Sequence, residues 1–454
     1  MIARKHPWLS LSLLTLWGLA LCHWLLFGTW GLNVVCLYGL GALLWLGLSG
    51  PTAKGWLWLL IGCGYSLSFS LLDHWLLSPL LALGIPLCFI AWALGGLPRS
   101  GWQALVDLFP FQFSGAAFSL LGGCLRQKQK LGRIALGVGL ALPILLVAAL
   151  LLASAEEAFG SLFTRLFTGF GEEFPVLAIK LFFALIIALY SFCLMLRSAQ
   201  PPQVAAAARP KGDSLVVSVM LGLLCALYLV FLAVSCQVLP HLINAQAATL
   251  SRYARQGFFE LCAAAMLNLG VFLAVNRFEG VQKGWPRILS LFLAALTLLL
   301  IALAGLKMGL YIRLCGLTLM RFYTACFMGV LALFFIALMV SLFRPFPVIR
   351  LGAVMLAASL FVLGLTNAEG FIAHSNVDRY LSGDLPTLDL VQYRQFPYAA
   401  APALLRAYEE TEDPALKAAL LSFLQSQAAP SSKPLWESNR QARQAQALLA
   451  PFQP

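Results

Sequence analysis

The chain has 454 residues, 61% of them hydrophobic and 11% charged, with a mean hydropathy of +0.87. Soluble domains carry about a quarter of their residues as charges, so this composition excludes a string of soluble domains and implies repeated membrane crossings of roughly 20 apolar residues each. The formal charge of +12 calls for no nucleic-acid partner, because the cytoplasmic loops of multi-pass proteins collect Lys and Arg.

In chain order, apolar windows almost free of charge fall at 7–27, 32–48, 55–72, 75–97, 134–153, 176–196, 214–238, 258–276, 288–306, 322–343 and 351–365, with Lys180 and Glu260 as the charged exceptions. They predict an all-α fold: a polytopic transmembrane helical bundle of about eleven spans with a small helical extracytoplasmic C-terminal domain. Arg4 and Lys5 ahead of the first window also suit a signal peptide, but the apolar run is long and a second span follows at once. The organisation is a four-span region at 1–98, a cytoplasmic interfacial and basic connection at 99–133, a seven-span core at 134–366 and a tail at 367–454.

Lys and Arg in alternate connections number sixteen on one face, from Arg4 and Lys5 to Arg344 and Arg350, and seven on the other. The positive-inside rule then places the N-terminus in the cytoplasm and the C-terminus outside. An error of one span reverses the tail. Two connections carry aromatic stripes. Phe159, Phe163, Phe167 and Phe170 suit an interfacial amphipathic helix on the outer face or a helix packed under the bundle. On the inner face, Trp102 to Phe118 precede Arg126, Lys128, Lys130 and Arg133, which attract anionic lipid or simply enforce orientation.

The tail holds seven basic against nine acidic residues after Ala368. From Tyr398 it predicts three short helices, with Asp413 as an N-cap before Pro414. Leu404, Leu405 and Tyr408 would face Leu416, Ala419, Leu420 and Phe423. One such hairpin is too small to bury a core alone, so it must pack on residues 367–395 or on the bundle.

Four stretches together resemble a family of polytopic bacterial membrane proteins catalogued only as a domain of unknown function. They are SAEEAF at Ser154–Phe159, YARQGFFEL at Tyr253–Leu261, GLTLMRFYTACFM at Gly316–Met328 and NAEGFIAHSNVDRY at Asn367–Tyr380. The closing stretch Trp436–Leu448 is also similar to the family's last helix. The resemblance runs from about Leu131 onward and does not reach the first four spans. It implies a bacterial cell (inner) membrane and supplies no catalytic residue. This chain has Glu156-Glu157 where the family has an Asp-Pro, and Asn367-Ala368-Glu369 where it has Asn-Pro-Asp; each keeps a carboxylate and loses a rigid turn.

Ionisable groups within spans cost about 2.5–3.5 kcal/mol at a helix centre, which makes each a functional candidate. Arg252, Gln256 and Glu260 share a helical stripe, and Arg321 enters the tenth span from the same face. A pair between Glu260 and Arg321, with Tyr253, Arg255, Gln256 and Tyr323 as polar neighbours, would lock two helices, couple to an ion, or hold a polar head group. Asn367, Asn376, Arg379 and Tyr380 form the candidate tail motif. The histidines, including His74 beside Asp73, have no partner at helical ligand spacing, so no metal or cofactor is expected. All 11 cysteines lie from Cys22 to Cys326 without a CxxC pair, which indicates neither disulfides nor zinc. Neither GxSxG nor GxxxxGK[ST] occurs.

Three functions remain. The first is a sensor or scaffold using the tail to contact an envelope protein. The second is a transporter using Glu260 and Arg321. The third is a membrane-embedded enzyme on lipid-linked substrates.

Overall fold

The structure is a computed structural model that describes residues 2–26, 28–50, 55–96, 174–198, 213–243, 264–275, 284–344, 346–428 and 438–453, and all regular secondary structure among them is helical. The N-terminal region contributes α1 (Pro7–Leu21), α2 (Leu32–Ser49), α3 (Trp56–Leu71) and α4 (Ser78–Ala93). There follow α5 (Phe174–Ser198), α6 (Ser214–Ile243), α7 (Ala264–Val275), α8 (Trp285–Cys315), α9 (Leu319–Ser341) and α10 (Val348–Leu365). The tail forms α11 (Ala368–Leu381), α12 (Pro397–Glu410), α13 (Pro414–Gln427) and α14 (Arg440–Leu449).

Six of these helices, α2, α5, α6, α8, α9 and α10, are long and apolar enough to cross a membrane. This is a membrane protein with transmembrane helices. Helices α3, α4 and α7 are apolar but shorter; sixteen residues in α3 rise only about 24 Å at 1.5 Å per residue. Of the eleven predicted windows, the one at 134–153 lies outside the described residues, as do both aromatic connections and the basic run from Arg126 to Arg133. The α6 surface shows the expected solvent: Leu215, Leu223, Leu227 and Val230 are exposed, an apolar face that belongs against hydrocarbon rather than water.

Two helix limits depart from the sequence expectation. The ninth window was expected to end at 306, yet α8 runs to Cys315, so Lys307 and Arg313 ride on a helix instead of a loop. Charge ends an apolar window without ending a helix. Gly316 ends it, at φ +72°, a left-handed conformation that costs a side-chain-bearing residue about 1–2 kcal/mol. The fourth window was expected to begin at 75; α4 begins at Ser78 with Pro79 in its first turn, where a missing N–H costs nothing.

The described spans assemble around two cores. One joins α1 to α5 and α10 through Trp45, Tyr65, Trp92, Phe192 and Met195, with the Tyr65 hydroxyl donating to the Ala357 carbonyl at 2.8 Å. The other joins α6 to α9 through Leu221, Phe272, Leu300 and Phe335. Inside it, Tyr228 donates to Asn268 at 3.0 Å and Asn268 donates to Thr297 at 2.8 Å, so these intramembrane polar groups satisfy one another.

The tail has its own core, in which Leu404, Leu420, Leu424 and Tyr393 are fully buried together with Leu319 from α9. The Asp413 carboxylate accepts from Ala415 N–H at 2.9 Å, the cap that the Asp-Pro pair predicts. The hairpin packs with Leu405, Tyr408 and Leu416 lining the same core, while Ala419, expected on that face, is exposed, and its support is α11.

One end of the bundle gathers the loop at 28–31, the turn at 72–77, residues 316–318 and the α10–α11 junction, all in contact with the tail or with each other. At the opposite end, Gly55 meets Gly95 and Gly96, and Arg350 reaches Gly96.

Candidate functional site

The site lies where the tail meets the first end of the bundle, and it begins with a helix start. Asn367 caps α11 by accepting from Gly370 N–H at 3.0 Å. This places Glu369 in the first turn, where the helix dipole favours a carboxylate. The α3–α4 turn brings His74 against it: imidazole Nδ1 lies 3.1 and 3.0 Å from the two Glu369 oxygens, and Nε2 lies 2.8 Å from the Gly364 carbonyl. Tyr323, one turn into α9, donates its hydroxyl to Glu369 Oε1 at 3.0 Å. The His74 and Glu369 side chains are 2% and 1% exposed.

Both imidazole nitrogens face acceptors. A neutral ring has only one N–H, so this arrangement calls for the imidazolium. Burial alone would lower the His74 pKa, but the hydrogen bond and charge of Glu369, aided by the Gly364 carbonyl and Asp73, hold it above the ordinary value. The result is a buried ion pair joining the α3–α4 turn to α11.

A second line of contacts runs beside it. Asp73 N–H donates to Gln441 Oε1 at 2.9 Å, and Gln441 Nε2 donates to Asn367 Oδ1 at 2.8 Å, tying α14 to the same junction. The end of α8 is closed by two arginines. Arg379 donates to the Ile312 and Arg313 carbonyls at 3.1 and 2.5 Å. Arg321 donates to the Cys315 and Gly316 carbonyls at 2.9 and 2.5 Å and to the Tyr311 hydroxyl at 2.7 Å, with its guanidinium carbon 3.9 Å from the Tyr311 ring centre. These satisfy carbonyls that a helix leaves without partners. Asn376 pairs with both backbone groups of Leu317 at 2.8 Å, and a Cβ on Gly316 would stand 2.9 Å from its Oδ1. Burial pushes the neighbouring Tyr393 phenol up to about 12, which keeps it a neutral hydroxyl.

The structure therefore brings together Asn367, Asn376 and Arg379 as fasteners of the tail, with Tyr380 packed at the edge of the tail core. Tyr253, Arg255, Gln256 and Glu260 lie outside the described residues. Of that proposed cluster, Arg321 closes α8 and Tyr323 serves Glu369. Sequence reasoning missed the pairing of His74 with Glu369, which are separated by 295 positions. The available signal was modest: a histidine in a short turn between apolar windows, and a carboxylate retained in the tail motif.

Against this seam lies a cavity of about 490 Å³, bounded by Trp30, Phe69, Asp73 and His74 from the bundle and by Tyr398, Asn439, Arg443 and Gln446 from the tail. Its volume falls in the range of small-molecule sites.

Comparison with protein families finds that the model described as domain of unknown function, DUF4153, matches residues 11–407. The match takes in α1 to α4, which the sequence motifs did not reach, and stops within α12. Comparison with curated proteins and with solved structures finds no match.

Proposed function

The chain belongs to the DUF4153 family, and from there we propose that it is a multi-pass sensor or scaffold of a bacterial cell membrane. In this reading about eleven spans anchor it, the N-terminus is cytoplasmic, and the helical tail is presented outside to envelope proteins. The observation that carries the reading is the fastening of the tail. A tethered domain needs one covalent link, whereas this tail is held by a buried ion pair, the Arg379 contacts to the end of α8, the Asn376 pair with Leu317 and an amide chain reaching the α3–α4 turn. Such a seam lets tail and bundle respond to each other, since any shift of one must break or keep buried polar contacts.

The transport alternative rests on Glu260 and predicts solute flux that survives deletion of residues 367–454. The sensor reading predicts that the deletion abolishes function while the bundle stays in the membrane. The direct test combines a C-terminal reporter active only outside the cytoplasm with in-cell cross-linking of the full chain. The expected result is an active reporter and cross-linked envelope proteins that disappear when Asn376 and Arg379 are both changed to Ala. A cytoplasmic tail, or a cross-linking pattern indifferent to that double change, overturns the reading.

A further inference from the structure

The cavity beside the seam has two unlike walls. The lower wall is built where spans end, and there Trp30, Phe69 and Leu72 present rings and a branched alkyl group beside the polar Thr29, Asp73, His74 and Ser78. The upper wall is α14, which contributes Arg443 and Gln446. Helix α14 belongs to a segment with charge of both signs, suited to water, whereas α3 carries no charged side chain. The cavity therefore offers an apolar patch of Trp30, Phe69 and Leu72 on one side and the Arg443 guanidinium on the other, within the width of one small-molecule site.

We propose that this cavity binds an amphiphile whose head group carries a phosphate, with the phosphate on Arg443 and the apolar end against Phe69 and Leu72. This deepens the sensor reading and rests on it, because α14 forms the upper wall only while the tail is docked. Arg443 sets the sign of the head group. It lies on the exposed side of α14, and the fork of N–H groups on a guanidinium matches phosphate oxygens two at a time. Asp73, the carboxylate among the lining residues, stands on the opposite wall beside the His74 imidazolium.

The test uses the full chain in a neutral detergent, with dihexanoyl phosphatidylglycerol below its micellar concentration as the probe and native mass spectrometry as the readout. One probe molecule per chain is expected. Arg443→Gln should weaken retention about tenfold or more, since it removes a charge-assisted contact. Ala442→Trp should abolish it by filling the cavity, and Lys417→Gln, a tail cation outside the lining, should leave it unchanged. Competition by inorganic phosphate as effective as the lipid reduces the site to a phosphate site and overturns the amphiphile. Equal competition by octyl glucoside overturns the phosphate. Undiminished retention in both cavity variants overturns the location. Protease resistance of α14 without probe reports docking separately: a docked tail that binds nothing sinks this inference alone, whereas a released tail sinks the sensor reading.

Discussion

The core of the first four helices and the seam beneath the tail solve one problem, joining helices, by opposite means. In the former, Trp45, Phe89 and Trp92 pack ring against ring at centroid distances of 5.5–6.2 Å, and small residues let backbones close. At Gly18 an added Cβ would stand 2.7 Å from the Ala184 carbonyl oxygen. In the seam, contact is made by a buried ion pair and by Arg379 on the end of α8. Between spans the surrounding lipid is as apolar as the side chains, so burial itself gives little and close fit must hold the helices. At the seam, buried polar groups tolerate few arrangements, because each lost partner leaves a group unsatisfied. The bundle is joined by shape, the tail by specified contacts.

The strongest challenge to that contrast is Glu369→Ala. Leaving the His74 charge buried and unpaired should cost about 3–5 kcal/mol, seen as protease release of the tail with α1–α5 still folded in detergent; an unaffected tail would show that the pair does not fasten it. Gly18→Val tests the other side. Forcing a side chain into the α1–α5 contact should cost about 1–3 kcal/mol and lower the thermal midpoint of the bundle while the tail stays protected. Next in size, Gly316→Ala should cost about 1–2 kcal/mol and loosen the Asn376 contact, measured as faster hydrogen exchange at Leu317 N–H.

The smallest and most graded effect is that of pH. A histidine whose folded pKa is raised contributes stability that is fully present below its unfolded value of about 6.5 and fades as pH climbs through the folded value. Tail protection should therefore weaken on the alkaline side of that ordinary value, and a Glu369→Gln chain should lose this dependence. Gly18→Val should keep it. A tail whose protection is flat across alkaline pH would remove His74 from the seam's energetics.

Much of the architecture was legible because a span is a local fact. About 20 consecutive apolar residues can be counted without knowing any neighbour, and the windows near α2, α5, α6 and α10 correspond closely to helices. The Asp413 cap was legible for the same reason, since donor and acceptor lie two residues apart. The site was not. Nothing local in His74 announces an ion pair, because its partner sits in another helix across most of the chain. Among the described residues Arg321 donates to the Cys315 and Gly316 carbonyls and to the Tyr311 hydroxyl, where a helix end offers unsatisfied oxygens close at hand; Glu260, the partner expected for it, lies outside the described residues.

Composition and periodicity thus determined the solvent of this protein, its helical class and the segments that belong in hydrocarbon, since those follow from transfer energies summed along the sequence. Only the tertiary structure decided which helix ends meet, that the tail lies on the α3–α4 turn, and that a cavity opens between them. Electrostatic and hydrogen-bond partners are chosen by distance in space, and a linear sequence carries no record of which distant residues packing will bring within 3 Å.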